Sequence, residues 1–187
     1  NVALGYQAMH QSTQTQHSIV IGRGSLNNAN SAGYNIGIGG YSLVRAGGTG
    51  AIAIGYGSGW YASGSGNIFM GYQAGKGGTT GSPYSTGIYN VAIGYESFYS
   101  HTTAANYNVF VGDMAGKALL TGDDNTGIGT KALNLILGSD STAVGANAGR
   151  YTTGSYNTFV GSDAGLGGTT SAPFSSGEEN TAMGYLA

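Results

Sequence analysis

Apolar and polar positions along this chain fall into one short unit that keeps returning. A polar residue is followed by two apolar residues flanking a small or aromatic one, then a glycine, then an alanine or serine three places on. "NVALGYQA", "NIFMGYQA", "NVAIGYES" and "NTFVGSDA" are instances, and the unit occurs eleven times, with glycines at 5, 22, 39, 55, 71, 94, 112, 129, 145, 161 and 184. The residue before each glycine is Leu, Ile, Met or Val, and two earlier stands Val, Ile or Thr. This period-two alternation of largely β-branched residues predicts a strand of about four residues with one buried face. Glycine then turns the chain, and the small residue after it suits a second short strand crossing a tight space.

The spacings between successive glycines are 17, 17, 16, 16 and 23, then 18, 17, 16, 16 and 23, so a longer period of 89 to 90 residues contains five units. "KGGTTGSPYSTG" and "LGGTTSAPFSSG" are the two copies of an insertion that lengthens every fifth unit. The first copy invites a reading as a phosphate loop, but Gly71 and Gly75–Lys76 are one residue too close, and Gly77 replaces the metal-binding hydroxyl. Lys76 becomes Leu166 in the second copy, so the insertion is a loop on a scaffold. A unit this small cannot bury its apolar face alone, whereas stacked units can. The expected fold is all-β: a parallel β-solenoid or β-roll of about eleven short coils, roughly 50 Å long at one strand spacing per coil. Residues 1–187 form one repeat module, expected to be a section of a longer fibre. Its five-coil blocks are 1–89 and 90–179, a third begins at 180–187, and the insertions occupy 76–89 and 166–179. The Asn that opens eight of the eleven units fits a side-chain ladder or turn cap.

The middle strand position is small in most units and Phe in three. If the flanking residues fill the coil, this position faces out and admits another chain. Ala3, Ala53, Phe69, Ala92, Phe110, Ala143, Phe159 and Ala182 are therefore the expected contacts of a homotrimer packed about a central axis. A solitary solenoid is the competing reading.

Composition narrows the chemistry. Charged residues make up 7% of the chain and the net charge is -2, which provides no basic footprint for nucleic acid and no cationic face for lipid. No apolar run is long enough for a membrane span. There is no cysteine, hence no disulfide or thiolate metal site. His10, His17 and His101 share no ligand spacing and read as loop surface. Asp123–Asp124 and Glu178–Glu179 precede strands without the oxygen-rich spacing of a calcium loop. No "GxSxG" elbow occurs, and the eight carboxylates show no sign of a shared cleft. The expectation is a non-enzyme without cofactor or metal.

Binding is the better expectation. "GSGWYASGSG" holds the sole tryptophan, Trp60, beside Tyr61. Rings among small residues form platforms for sugars, with coil-edge packing as the plainer alternative. The insertions add Tyr84 and Tyr89, and Phe174 matches Tyr84 in the second copy. These five residues are the candidate receptor contacts. A run of first-position threonines, Thr126, Thr142, Thr158 and Thr181, raises ice binding as a minor alternative.

The unit [Asn/Ser]-x-Ala-hydrophobic-Gly-x-x-Ala, across the whole chain, resembles the head repeats of YadA-type trimeric autotransporter adhesins. It is still closer to the "NTAIGYQAL"-like repeats of bacteriophage tail fibres. The resemblance implies a trimer of parallel β-coils whose loops bind a cell-surface glycan or protein. It also implies location in a virion tail fibre or at a cell surface. Coils of 16 to 18 residues and frequent tyrosine depart from the adhesin pattern and favour the phage-fibre side. The bacterial adhesin head is the alternative, and a ligand-free shaft a minor one.

Overall fold

The computed structural model describes residues 1–13, 15–29, 33–45, 48–78, 85–101, 105–118, 121–167 and 176–187. Strands β1 to β5 are Val2–Leu4, Ile19–Ile21, Ile36–Ile38, Ile52–Ile54 and Ile68–Met70. Strands β6 to β11 are Val91–Ile93, Val109–Val111, Thr126–Ile128, Thr142–Val144, Thr158–Val160 and Thr181–Met183. They form one sheet in chain order. Each strand pairs in parallel with the next, residue for repeat-equivalent residue, as Ala92 opposite Phe110 in β6 and β7. The chain coils on itself as an eleven-coil parallel β-solenoid.

The repeat glycine is what closes each strand. All eleven have φ between +126° and +140°, a backbone that L side chains rarely adopt. They also stack: a Cβ on Gly94 would stand 2.4 Å from the carbonyl oxygen of Gly112. Beyond the glycine the expected second strand does not occur among the described residues. It makes a turn with left-handed residues at the second and fourth places, such as Met114 (φ 54°) and Gly116 (φ 57°). Consecutive left-handed sites send their N–H groups in opposite directions along the axis. Met114 N–H donates to the preceding coil at Tyr95 O (2.8 Å), and Gly116 N–H to the following coil at Ala132 O (3.0 Å). Backbone bonding therefore continues between coils without strand geometry.

The assignment of strand faces is reversed from the sequence expectation. Ala53, Phe69, Ala92, Phe110 and Ala143 are fully buried and Phe159 nearly so, all inside their own coils, where they cannot meet another chain. Ala182 packs against the same core, and Ala3 belongs to the same column in the exposed first coil. The physical reason lies at the fourth residue after the glycine, which also points inward. Where the middle strand residue is small, this residue is large: Gly37 with Leu43, Ala92 with Phe98, Gly127 with Leu133. Where the middle residue is Phe, it is glycine: a Cβ on Gly75 would stand 2.1 Å from Phe69, and one on Gly116 2.5 Å from Phe110. Opposing side chains thus share a fixed volume, as close packing requires. Two coils have small residues at both places, Ala53 with Gly59 and Ala143 with Gly149, and neighbours lean in from the coils on either side: Leu43 and Phe69 toward Gly59, Leu133 and Phe159 toward Gly149.

The strand-opening asparagines form the expected ladder inside the coil. The backbone N–H and the Nδ2 of Asn108 both donate to Asn90 Oδ1, at 2.9 and 3.1 Å, and Asn125 repeats this on Asn108. Ser141 N–H continues the file to Asn125 Oδ1 (3.0 Å). Ala51, 2% exposed, accepts nothing through its side chain and interrupts the file before Asn67. Ala51→Asn restores the missing acceptor in a backbone that accommodates Asn at the equivalent positions. It is expected to stabilise the chain by about 1 kcal/mol, read as a higher urea midpoint; a lower midpoint would show that the column does not tolerate it.

Candidate functional site

The flanking strand residues, excluded from the interior, make the outer face of the sheet. Ile19 (43% exposed), Ile93 (37%), Ile128 (41%) and Val144 (38%) mark an apolar band running from coil to coil. Beside it, across the glycine turn, stands a ladder of tyrosines. Tyr56, Tyr72 and Tyr95 occupy the place just after the repeat glycine and stack at centroid distances of 5.6 and 5.4 Å. The glycines below make room: Tyr41 lies over Gly24, where a Cβ would come within 2.9 Å of the ring, and Tyr56 lies over Gly40. Stacking covers ring faces, so these tyrosines present edges and hydroxyls to solvent. The Glu96 carboxylate raises the pKa of the Tyr95 phenol.

Trp60 joins this ladder. Its indole stacks on Tyr41 (5.2 Å) and Tyr61 (5.8 Å) and meets Tyr56 edge-on. It is half-buried at the coil edge, with three tyrosines against it. Tyr89 is 55% exposed on the turn before β6 and stacks on Tyr107 at 5.6 Å. Trp60 and Tyr61 are therefore brought together, while Tyr89 belongs to a separate file at the other end of the strands. Tyr84 and Phe174 lie outside the described residues. Tyr41, Tyr56, Tyr72 and Tyr95 were missed as site residues, although the recurrent "GY" of the aligned units signals three of them.

The next part of the edge is basic. Lys76 Nζ donates to Tyr99 Oη at 2.9 Å and lies 4.8 Å from that ring's centre. Lys117 approaches the same ring at 5.7 Å and pairs with Glu96 at 2.6 Å. Among the described residues no group of three or more His, Cys, Asp or Glu side chains is placed to hold a metal ion.

His101 is not loop surface. It is buried, stacked on Phe98 at 4.0 Å, with Nδ1 3.0 Å from the Phe98 carbonyl oxygen. The neutral tautomer with Nδ1–H donates there. Burial pushes its pKa from 6.5 down to about 4. The folded value is below the unfolded one, so this contribution to stability is whole above pH 6.5. It is lost as pH falls through that value toward 4, a total of about 3 kcal/mol. Urea midpoints of the natural chain should fall over this window more steeply than those of His101→Phe. Equal slopes would place the imidazole in water.

No protein-family model matches the chain, and no curated protein or solved structure shows significant similarity to it. The architecture defines the fold class, a repetitive, all-parallel β-solenoid, and is consistent with the general family of repeat β-solenoid adhesins and tail-fibre domains.

Proposed function

We propose that this chain is a structural and adhesive section of a trimeric surface fibre, of phage-tail type, that holds binding edges away from its base. The observation that carries the reading is the apolar band of β1 to β11, an exposed hydrophobic surface of a length that isolated soluble chains rarely leave in water. A second and third copy of the chain are its natural cover. The three-fold number follows the resemblance of the repeat to trimeric fibre heads. Aromatic and basic side chains on the coil edge lie beyond this band and stay available to a host-surface glycan or protein. Light scattering tests the reading: the solution mass is expected at about three times the 18.7 kDa of the chain. A mass of one chain overturns it.

One observation favours a second reading. Thr126, Thr142, Thr158 and Thr181 pair in register on the outer face, the kind of regular hydroxyl file that orders water. A monomeric mass together with thermal hysteresis would bring ice binding forward.

A further inference from the structure

The fifth residue after each repeat glycine forms a file of its own, bound through the backbone from coil to coil. Tyr61 N–H donates to Lys76 O (2.7 Å), Ser100 N–H to Lys117 O (2.8 Å) and Leu135 N–H to Arg150 O (3.0 Å). From the fourth to the ninth coil the file reads Trp60, Lys76, Tyr99, Lys117, Asn134, Arg150. Its cations stand on every second coil, which at one strand spacing per coil is a charge about every 10 Å. Three of the chain's six Lys and Arg residues are gathered here. Five of its eight acids, Asp123, Asp124, Asp140, Glu178 and Glu179, are instead in the turns that precede the strands. Most of the acidic charge in this sparsely charged protein thus lies apart from these cations, while Glu96, Asp113 and Asp163 stand on the turn that leads to the file.

The cations keep capacity for a ligand. Among the described residues only Lys117 of the three makes an ion pair, with Glu96. The guanidinium of Arg150 lies 4.7 Å from the Tyr151 ring centre, and its buried Nε has no acceptor among the described residues. Lys76 has three donors, and Tyr99 Oη accepts from one of them.

We propose that this file binds an acidic polysaccharide lying along the solenoid axis, of the type that alternates a uronic acid with a neutral sugar. The proposal rests on the adhesive reading above and names the ligand class of its edge. An extended chain of that type presents one carboxylate per pair of sugars, an interval comparable to two coils. Between successive cations stand Tyr99 and Asn134, a ring edge and an amide suited to the neutral sugar. A nucleic acid fits less well: its phosphates recur about every 3.4 Å along a strand, so most would find no cation while the chain's net negative charge repels them.

The test is calorimetric titration of the trimer or whole chain with a hyaluronan dodecasaccharide, which alternates glucuronate and neutral sugar. Binding is expected at low salt and should weaken as salt rises. The double variant Lys76→Gln, Arg150→Gln should lower affinity about tenfold. Lys131→Gln, which removes one charge outside the file, should leave it within about twofold. Absence of hyaluronan binding at low salt overturns the proposal, and so does an equal loss in Lys131→Gln. Tighter binding of an oligothymidylate of matching length would assign the file to nucleic acid instead. Binding of neutral maltodextrin as tight as hyaluronan, unchanged in the double variant, sinks the acidic ligand and leaves the adhesive reading standing. A monomeric solution mass with the file still binding hyaluronan would count against the trimeric fibre alone.

Discussion

Gly112→Ala is expected to divide the solenoid at its middle. The φ of Gly112 is +140°, and a Cβ there would stand 2.5 Å from the carbonyl oxygen of Gly129. That oxygen belongs to backbone, so no side chain can swing aside to relieve the clash. Moving Gly112 is no easier, because its N–H donates to Ile93 O at 2.8 Å and β7 is paired on both sides. Strain and lost pairing together place the cost at about 4 kcal/mol or more, at the far end of single-substitution effects. In a chain whose units touch only their neighbours, such a break uncouples what lies on either side. The melting curve should shift down by about 10 °C or resolve into two transitions. Gly50→Ala is the control: its φ is +72° with nothing within 4 Å of the added Cβ, and the expected cost is about 1 kcal/mol. Equal effects from the two substitutions would mean that backbone conformation alone, and not glycine stacking, sets the requirement.

Ile38→Lys with Ile54→Lys is expected to reduce the solution mass from three chains to one. The two isoleucines are cross-strand neighbours in β3 and β4, half-buried on the outer face, and neither contributes to the interior of the coil. In the free chain the lysines reach water along their own stems, so the fold survives. At a buried interface they would set two like charges per chain against apolar partners without counter-ions, a cost of several kcal/mol. Scattering should report about 18.7 kDa with an unchanged circular dichroism spectrum. Retention of the natural mass would move the assembly surface away from this face.

Much of the fold is legible in the sequence because the repeat is geometry written out. Strand positions, the glycine turn, the asparagine ladder and the parallel order all follow from one eight-residue unit. The inner and outer faces do not follow, since both strand columns are apolar and alternation alone does not say which is inside. The complement needed to decide lies in another column, where Gly59, Gly75, Gly116, Gly149 and Gly165 alternate with Leu26, Leu43, Phe98 and Leu133. His101 was obscured likewise. Met singly between Ser100 and Thr102 it looks like loop, yet its column seven places beyond the glycine includes Ala29, Ala62, Ile136 and Thr152, all buried. The turn after the glycine is legible least, because Met114, Leu133 and Phe98 adopt left-handed backbone that their side chains do not announce. Of the edge, Trp60 and Tyr61 stand out by rarity, while its cations are ordinary in sequence and become a file only once coils are aligned.

The residue-for-residue register has a consequence for how such a molecule changes length. Because β5 and β6 pair in register across the junction of Tyr89 and Asn90, and the blocks 1–89 and 90–179 differ by one residue in the length of a single coil, a further block spliced at that junction meets matching surfaces above and below. Unequal crossing-over between gene segments for the two blocks would lengthen the rod by whole multiples of five coils, without a new core or a new turn, and would leave the outer face continuous.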